Sequence, residues 1–111
     1  MTPHAGSRTL RRLPREKGFY FFTSIGNYTG EHVASLEEFV RKIKEVDVKS
    51  LEFHLYRGDF EKWAADVLED PQLAQAIRSI QNFKPVGDTL RDQLHLVVWK
   101  RYTDLKAKVP G

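Results

Sequence analysis

Apolar side chains recur along this chain at two periods, and the change from one to the other marks out its elements. In "GFYFFTSIG" (18–26) the rhythm is that of a strand, with Phe19, Phe21 and Thr23 on one face and Tyr20, Phe22 and Ser24 on the other. Rings on both faces predict a strand covered on both sides. From Ser35 the rhythm becomes helical: Leu36, Phe39, Val40 and Ile43 fall on one face, while Glu37, Arg41 and Lys44 point away. Ser35 followed by Glu38 is a capping box, which satisfies two backbone donors that a helix start otherwise leaves unpaired.

The same signals recur towards the C-terminus. Asp70 stands as N-cap before Pro71, which has no N–H to lose at a first helical position, and Leu73, Ala74, Ile77 and Ile80 form the buried stripe. "NFKPVGD" ends that helix. A last segment begins near Asp88 or Thr89 and carries Leu90, Leu94, Val97, Val98, Arg101 and Leu105 at helical spacing. Its middle, "LHLVVW" (94–99), also alternates as a strand would, but the longer helical register favours a helix. Between these segments lies "SLEFHLYRGDFEKWAADVLEDP" (50–71). Ser50 can cap a helix with Leu51, His54 and Leu55 inward, or Leu51, Phe53 and Leu55 can line a strand; either way Gly58 ends the element. Asp59 then caps a further helix whose inner face is Phe60, Trp63, Ala64, Val67 and Leu68.

These elements predict a mainly α fold, a compact bundle of four to five short helices with one N-terminal strand or hairpin and a basic extended N-terminal arm. The alternative is α+β, with strands at 51–56 and 94–99. At 111 residues the chain holds one domain. The division expected is a flexible arm at 1–17, a globular domain at 18–106 and a tail at 107–111.

Charge changes the picture at one end. Arg8, Arg11, Arg12, Arg15 and Lys17 face a single acid, Glu16, in residues 1–17, so this segment holds +4 and the remainder is −1 of the chain's +3. With two prolines and few apolar residues the arm is expected to stay extended. Guanidinium groups match phosphate oxygens through forked hydrogen bonds, so the arm reads as a grip on RNA. The other reading is a solubilising tail.

Candidate chemistry concentrates in 50–71. Asp59 and Asp70 are accounted for as caps, and Phe60 and Trp63 as core. His54, Tyr56 and Arg57 remain, with Asp59 as a partner for Arg57, forming either a structural ion pair or a partner or ligand surface.

Several chemistries find no support. There is no cysteine, which removes disulfides and thiolate sites and suits the cytoplasm. His4, His32, His54 and His95 are dispersed and show no H-E-x-x-H spacing, so no metal or cofactor is expected. Neither a nucleophile elbow nor a phosphate-binding loop occurs, since "GNYTG" lacks the required lysine. "NYT" (27–29) matches a glycosylation sequon, but its flanking Gly26 and Gly30 read as a loop. No apolar run approaches a membrane span, and the first residues lack the apolar stretch of an export signal, so no membrane partner is expected.

The runs "FYFFTSIGNYTGEHVASLEEFVRKI", "SLEFHLYRGDFEKWAADVLEDPQLAQAI" and "DTLRDQL" resemble a small uncharacterised family of archaeal and bacterial proteins. That family shares an aromatic start, an "SLEEF"-like capped helix, an S-L-x-F/Y-H-x-x-R-x-D-F-x-x-W core and a D-x-x-L-A helix start. The resemblance spans about 18–105 and leaves the arm outside. It implies a mostly helical domain and no known activity.

The expected function is therefore a non-catalytic binding module. In the first form it docks on RNA or a ribonucleoprotein such as the ribosome, with Arg8, Arg11, Arg12, Arg15 and Lys17 on phosphates. In the second it presents His54, Tyr56, Arg57 and Asp59 to a protein partner. An enzyme or ligand sensor is the third choice.

Overall fold

The computed structural model describes residues 5–108. In chain order these form α1 (Ala5–Leu10), β1 (Phe19–Ser24), β2 (Asn27–Val33), α2 (Leu36–Ile43), α3 (Val48–Arg57), α4 (Asp59–Asp66), α5 (Pro71–Ile80) and α6 (Gly87–Lys108), with short 3-10 turns at Arg15–Lys17 and Gln81–Phe83. The fold is mainly α with an N-terminal antiparallel hairpin, as the periodicity predicts. The α+β alternative is excluded, because 51–56 lies within α3 and 94–99 within α6. Longer registers decide both: Leu51 and Leu55 are buried in α3, and Leu90, Leu94, Val98 and Leu105 in α6.

One core joins the hairpin to the helices. Phe19, Phe21, Phe39, Phe60 and Trp63 meet in an aromatic cluster, with Phe19 lying 5.0 Å from Phe60 and 5.6 Å from Trp63 between ring centroids. Burying rings of this size supplies much of the hydrophobic stabilisation. Gly18 lets the hairpin close onto this cluster, since a Cβ there would stand 2.5 Å from the Val33 carbonyl oxygen. The hairpin pairs Phe19 with Val33 and Tyr20 with His32, and its register slips beyond Tyr20. Asn27–Val33, expected to be a loop at its start, is strand throughout. One face of β1 is fully covered and the other only in part. Phe19 and Phe21 are buried, whereas Tyr20 and Phe22 are half-buried, so the expected cover on both sides is corrected.

Side-chain caps start α2, α3 and α5. Ser35 Oγ accepts from the Glu38 N–H, and the Glu38 carboxylate reaches back to the Ala34 N–H at 2.7 Å. Asp70 Oδ1 accepts from the Leu73 N–H. Ser50 does not cap α3: the helix starts earlier, with Asp47 accepting from the Lys49 N–H, and Ser50 is buried inside it. Asp59 is not a cap either. Gly58, at φ 80°, ends α3 in the left-handed region and abuts α4 directly, leaving the Asp59 carboxylate free for other partners.

The N-terminal segment departs from expectation. Residues 5–10 are helical rather than extended, and α1 rests against α2 and α6. Thr9 and Leu13 are buried, the Leu13 N–H donates to the Ala34 carbonyl at 2.7 Å, and the Trp63 indole N–H donates to the Lys17 carbonyl at 2.9 Å. Leu10 and Leu13 supply the apolar anchor that composition alone discounted. Their neighbours then pair with the body: Arg8 with Glu69 at 2.6 Å, Arg11 with Glu69 and the Val67 carbonyl, and Arg12 with Glu38 at 2.9 Å. Glu69 sits at φ 58°, a left-handed turn after α4 that aims its carboxylate at the segment. At the other end, Ala107 and Lys108 extend α6, and the rest of the expected tail lies outside the described residues.

Candidate functional site

α3 and α4 meet at Gly58 and carry the chemically dense stretch of the sequence up against β1. His54 is 4% exposed and stands edge-on to Phe19, 4.8 Å between ring centroids. Its Nε2 accepts the Phe22 backbone N–H at 2.8 Å, and its Nδ1 lies 2.8 Å from Asp59 Oδ2. A nitrogen that accepts an N–H carries no proton, so the proton sits on Nδ1 and is donated to the carboxylate. Burial pushes His54 below its ordinary value, and the opposing pull of Asp59 does not overcome it. The neutral ring thus ties β1, α3 and α4 together. Both nitrogens are occupied, which removes His54 as a ready general base.

Asp59 Oδ2 also accepts from Arg57 Nε at 3.1 Å, and the Arg57 guanidinium lies 4.9 Å from the centroid of the Phe53 ring. Arg57 is half exposed. Tyr56 is elsewhere: its hydroxyl donates to the Pro85 carbonyl at 2.5 Å, bracing α3 against the loop before α6. The structure therefore joins His54, Arg57 and Asp59 and separates Tyr56 from them.

These groups stand beside a groove of about 500 Å³. Phe19, Tyr20, Phe22 and Ile25 of the hairpin form one wall, Phe53 and Arg57 of α3 the second, and Lys62, Trp63 and Asp66 of α4, with Val67 just after it, the third. Its lining is mostly apolar and also takes in Arg57 and Lys62 with Asp59 and Asp66. Ile25, at the hairpin tip, is among the most exposed apolar residues of the described chain. On the same outer face of the hairpin Tyr20 stacks on His32 at 5.0 Å, and Tyr28 packs against Phe22 at 5.3 Å. Among the described residues no cluster of three or more histidines and acids is placed to hold a metal.

Phe22, Ile25, Phe53 and Lys62 were not singled out by sequence reasoning. Phe53 precedes Arg57 by four residues, the helical spacing of a stacked pair, and this was the one available signal. The hairpin wall had none, because its contribution depends on how β1 docks against α3.

The basic segment is not a free cluster. Arg8, Arg11, Arg12, Arg15 and Lys17 are all solvent-exposed, but the first three engage Glu69 or Glu38. Hydrogen bonding to Arg8 holds the Glu69 carboxyl below its usual range, while the Ala34 N–H and then Arg12 do the same for Glu38. Arg12 also borders a polar depression shared with Arg41 and Lys42. No helix among the described residues is long and apolar enough to cross a membrane.

Comparison with known proteins finds no match among curated proteins and none among solved structures. A family profile described as "Family of unknown function (DUF5752)" matches residues 16–109, which takes in both groove-forming helices, the hairpin and the last two residues of the basic segment. The chain belongs to this family of unknown function.

Proposed function

We propose that the protein is a non-catalytic interaction module that seats an apolar side chain of a partner polypeptide in the groove between the hairpin, α3 and α4. The observation that carries this reading is a mostly apolar lining, to which Phe22, Phe53 and Trp63 contribute, beside a half-exposed Arg57 that is already oriented by Asp59. Such a site offers desolvation energy in its centre and a fixed cation at its edge, the arrangement from which protein interfaces draw most of their affinity. The lining carries as many acids as bases. A phosphate backbone would meet Asp59 and Asp66, whereas a peptide can match both signs.

Selection of peptides from a display library tests the reading. Selected peptides should share an apolar or aromatic anchor next to an acidic residue, and Phe53→Glu should abolish their binding in fluorescence anisotropy. Peptides whose binding ignores Phe53→Glu would sink it.

A second reading keeps RNA or a ribonucleoprotein as partner. It is supported by the exposure of all five basic residues of the N-terminal segment and by Arg12, Arg41 and Lys42 lining one depression, which Glu38 and Glu45 line as well. Three of these arginines would have to trade internal carboxylate or carbonyl partners for phosphates, so affinity would be modest and would fall steeply with salt. Labelled structured RNA, titrated at low and high salt, separates the two readings.

A further inference from the structure

The far side of the molecule carries a second apolar feature. α6 buries Leu90, Leu94, Val98 and Leu105 against the core, yet on its opposite side Leu96 is 61% exposed and Trp99, one turn further on, is 47% exposed. A helix that stands free in water keeps that side largely polar, so two large apolar side chains one turn apart there form a patch that a partner can cover. Beside Leu96 a depression of about 300 Å³ runs between α5 and α6, lined by Ala76, Ile80 and Val97, and Phe83 at its edge is 77% exposed. A second depression, sharing Ala76 and Val97 with the first, lies towards Lys100 and Asp104.

We infer that this face binds a second copy of the chain, through an isologous contact in which two α6 helices cross antiparallel at Leu96. The charge pattern selects this occupant. Asp92 lies four residues before Leu96 and Lys100 four residues after it, both on the exposed side of the helix. A two-fold axis at Leu96 sets Asp92 of each copy level with Lys100 of the other, so one contact makes two opposite-charge pairs. In a parallel arrangement the like charges would face each other. Leu96 of each copy meets Leu96 of the other, which gives the contact an apolar centre inside a charged margin. Neither the groove nor the N-terminal segment takes part, so this contact stands apart from the proposed function.

Sedimentation velocity of the full chain over a dilution series tests the inference. The expected result is a concentration-dependent monomer–dimer equilibrium. Leu96→Asp or Trp99→Glu should return the chain to monomer with an unchanged melting curve, because neither side chain is buried. Asp92→Lys alone should weaken the dimer by about tenfold or more, through like charges brought together. Adding Lys100→Asp to it should restore the dimer. A chain that stays monomeric at every concentration overturns the inference and leaves the face to a different protein. So does a dimer indifferent to Leu96→Asp, or one that the double charge reversal fails to restore.

Discussion

Asp59 and Asp70 follow α3 and α4 at equivalent places, each at or just before the start of a new helix and each joined to an arginine, and they come to opposite ends. Asp70 is 2% exposed; it caps α5 and takes Arg101 of α6 in a two-pronged pair at 2.8 and 3.1 Å. Asp59 is partly exposed, caps nothing, and holds Arg57 and His54 at the margin of the groove. The first pair is sealed, and everything it touches belongs to the fold. The second leaves a guanidinium half in solvent next to a mostly apolar lining, where a partner can reach it. Paired charges therefore distinguish architecture from site by what lies on their far side, not by the pairing itself.

Breaking the sealed pair should cost most. Asp70→Ala strands the Arg101 charge and removes a cap, and is expected to lower stability by about 3–5 kcal/mol in urea unfolding. A loss under about 1 kcal/mol would mean that Arg101 finds water, and the contrast drawn above would fail.

The His54 staple comes next and is read through pH. Its value is depressed in the folded state, so the unfolded chain binds the proton more readily. Stability should be fully present above the ordinary histidine value of 6.5 and should fall as pH drops below it towards the folded value. His95, also depressed, chiefly by burial, adds a contribution of the same sign. Unfolding midpoints across this range should slope accordingly, and His54→Gln should flatten most of the slope. Stability that rises on acidification would show that Asp59 instead keeps the ring charged.

Arg57→Ala should have the smallest effect on stability, less than about 1 kcal/mol, because an ion pair open to solvent contributes little. Peptide binding should nevertheless weaken markedly. That split between stability and binding is the mark of a site residue, and a large loss of stability would move Arg57 to the architectural class with Arg101.

Helices and their inner faces were legible in the sequence because amphipathic spacing and caps are local: Ser35 with Glu38, and Asp70 with Pro71, announce their helices within four residues. Asp59 was misread for the same reason. An aspartate after a glycine looks like a cap, but Gly58 in its left-handed turn already joins the helices, and the nearby histidine and arginine compete for the carboxylate. The docking of the N-terminal segment was not legible either, since it hangs on Leu10, Leu13 and Glu69, which are remote in sequence and weak as signals singly. The dense run at 50–71 was legible as residue types, but the groove was not, because its hairpin wall is set by tertiary packing.

Chemical-shift mapping on the isotopically labelled full chain, titrated with a peptide from the display selection, tests the groove most directly. Perturbations should centre on Phe22, Ile25, Phe53, Lys62 and Val67 and fade across the rest of the molecule. Perturbations centred on Arg8 to Arg15, or on Phe83 and Leu96, would contradict the assignment of the groove as the binding site.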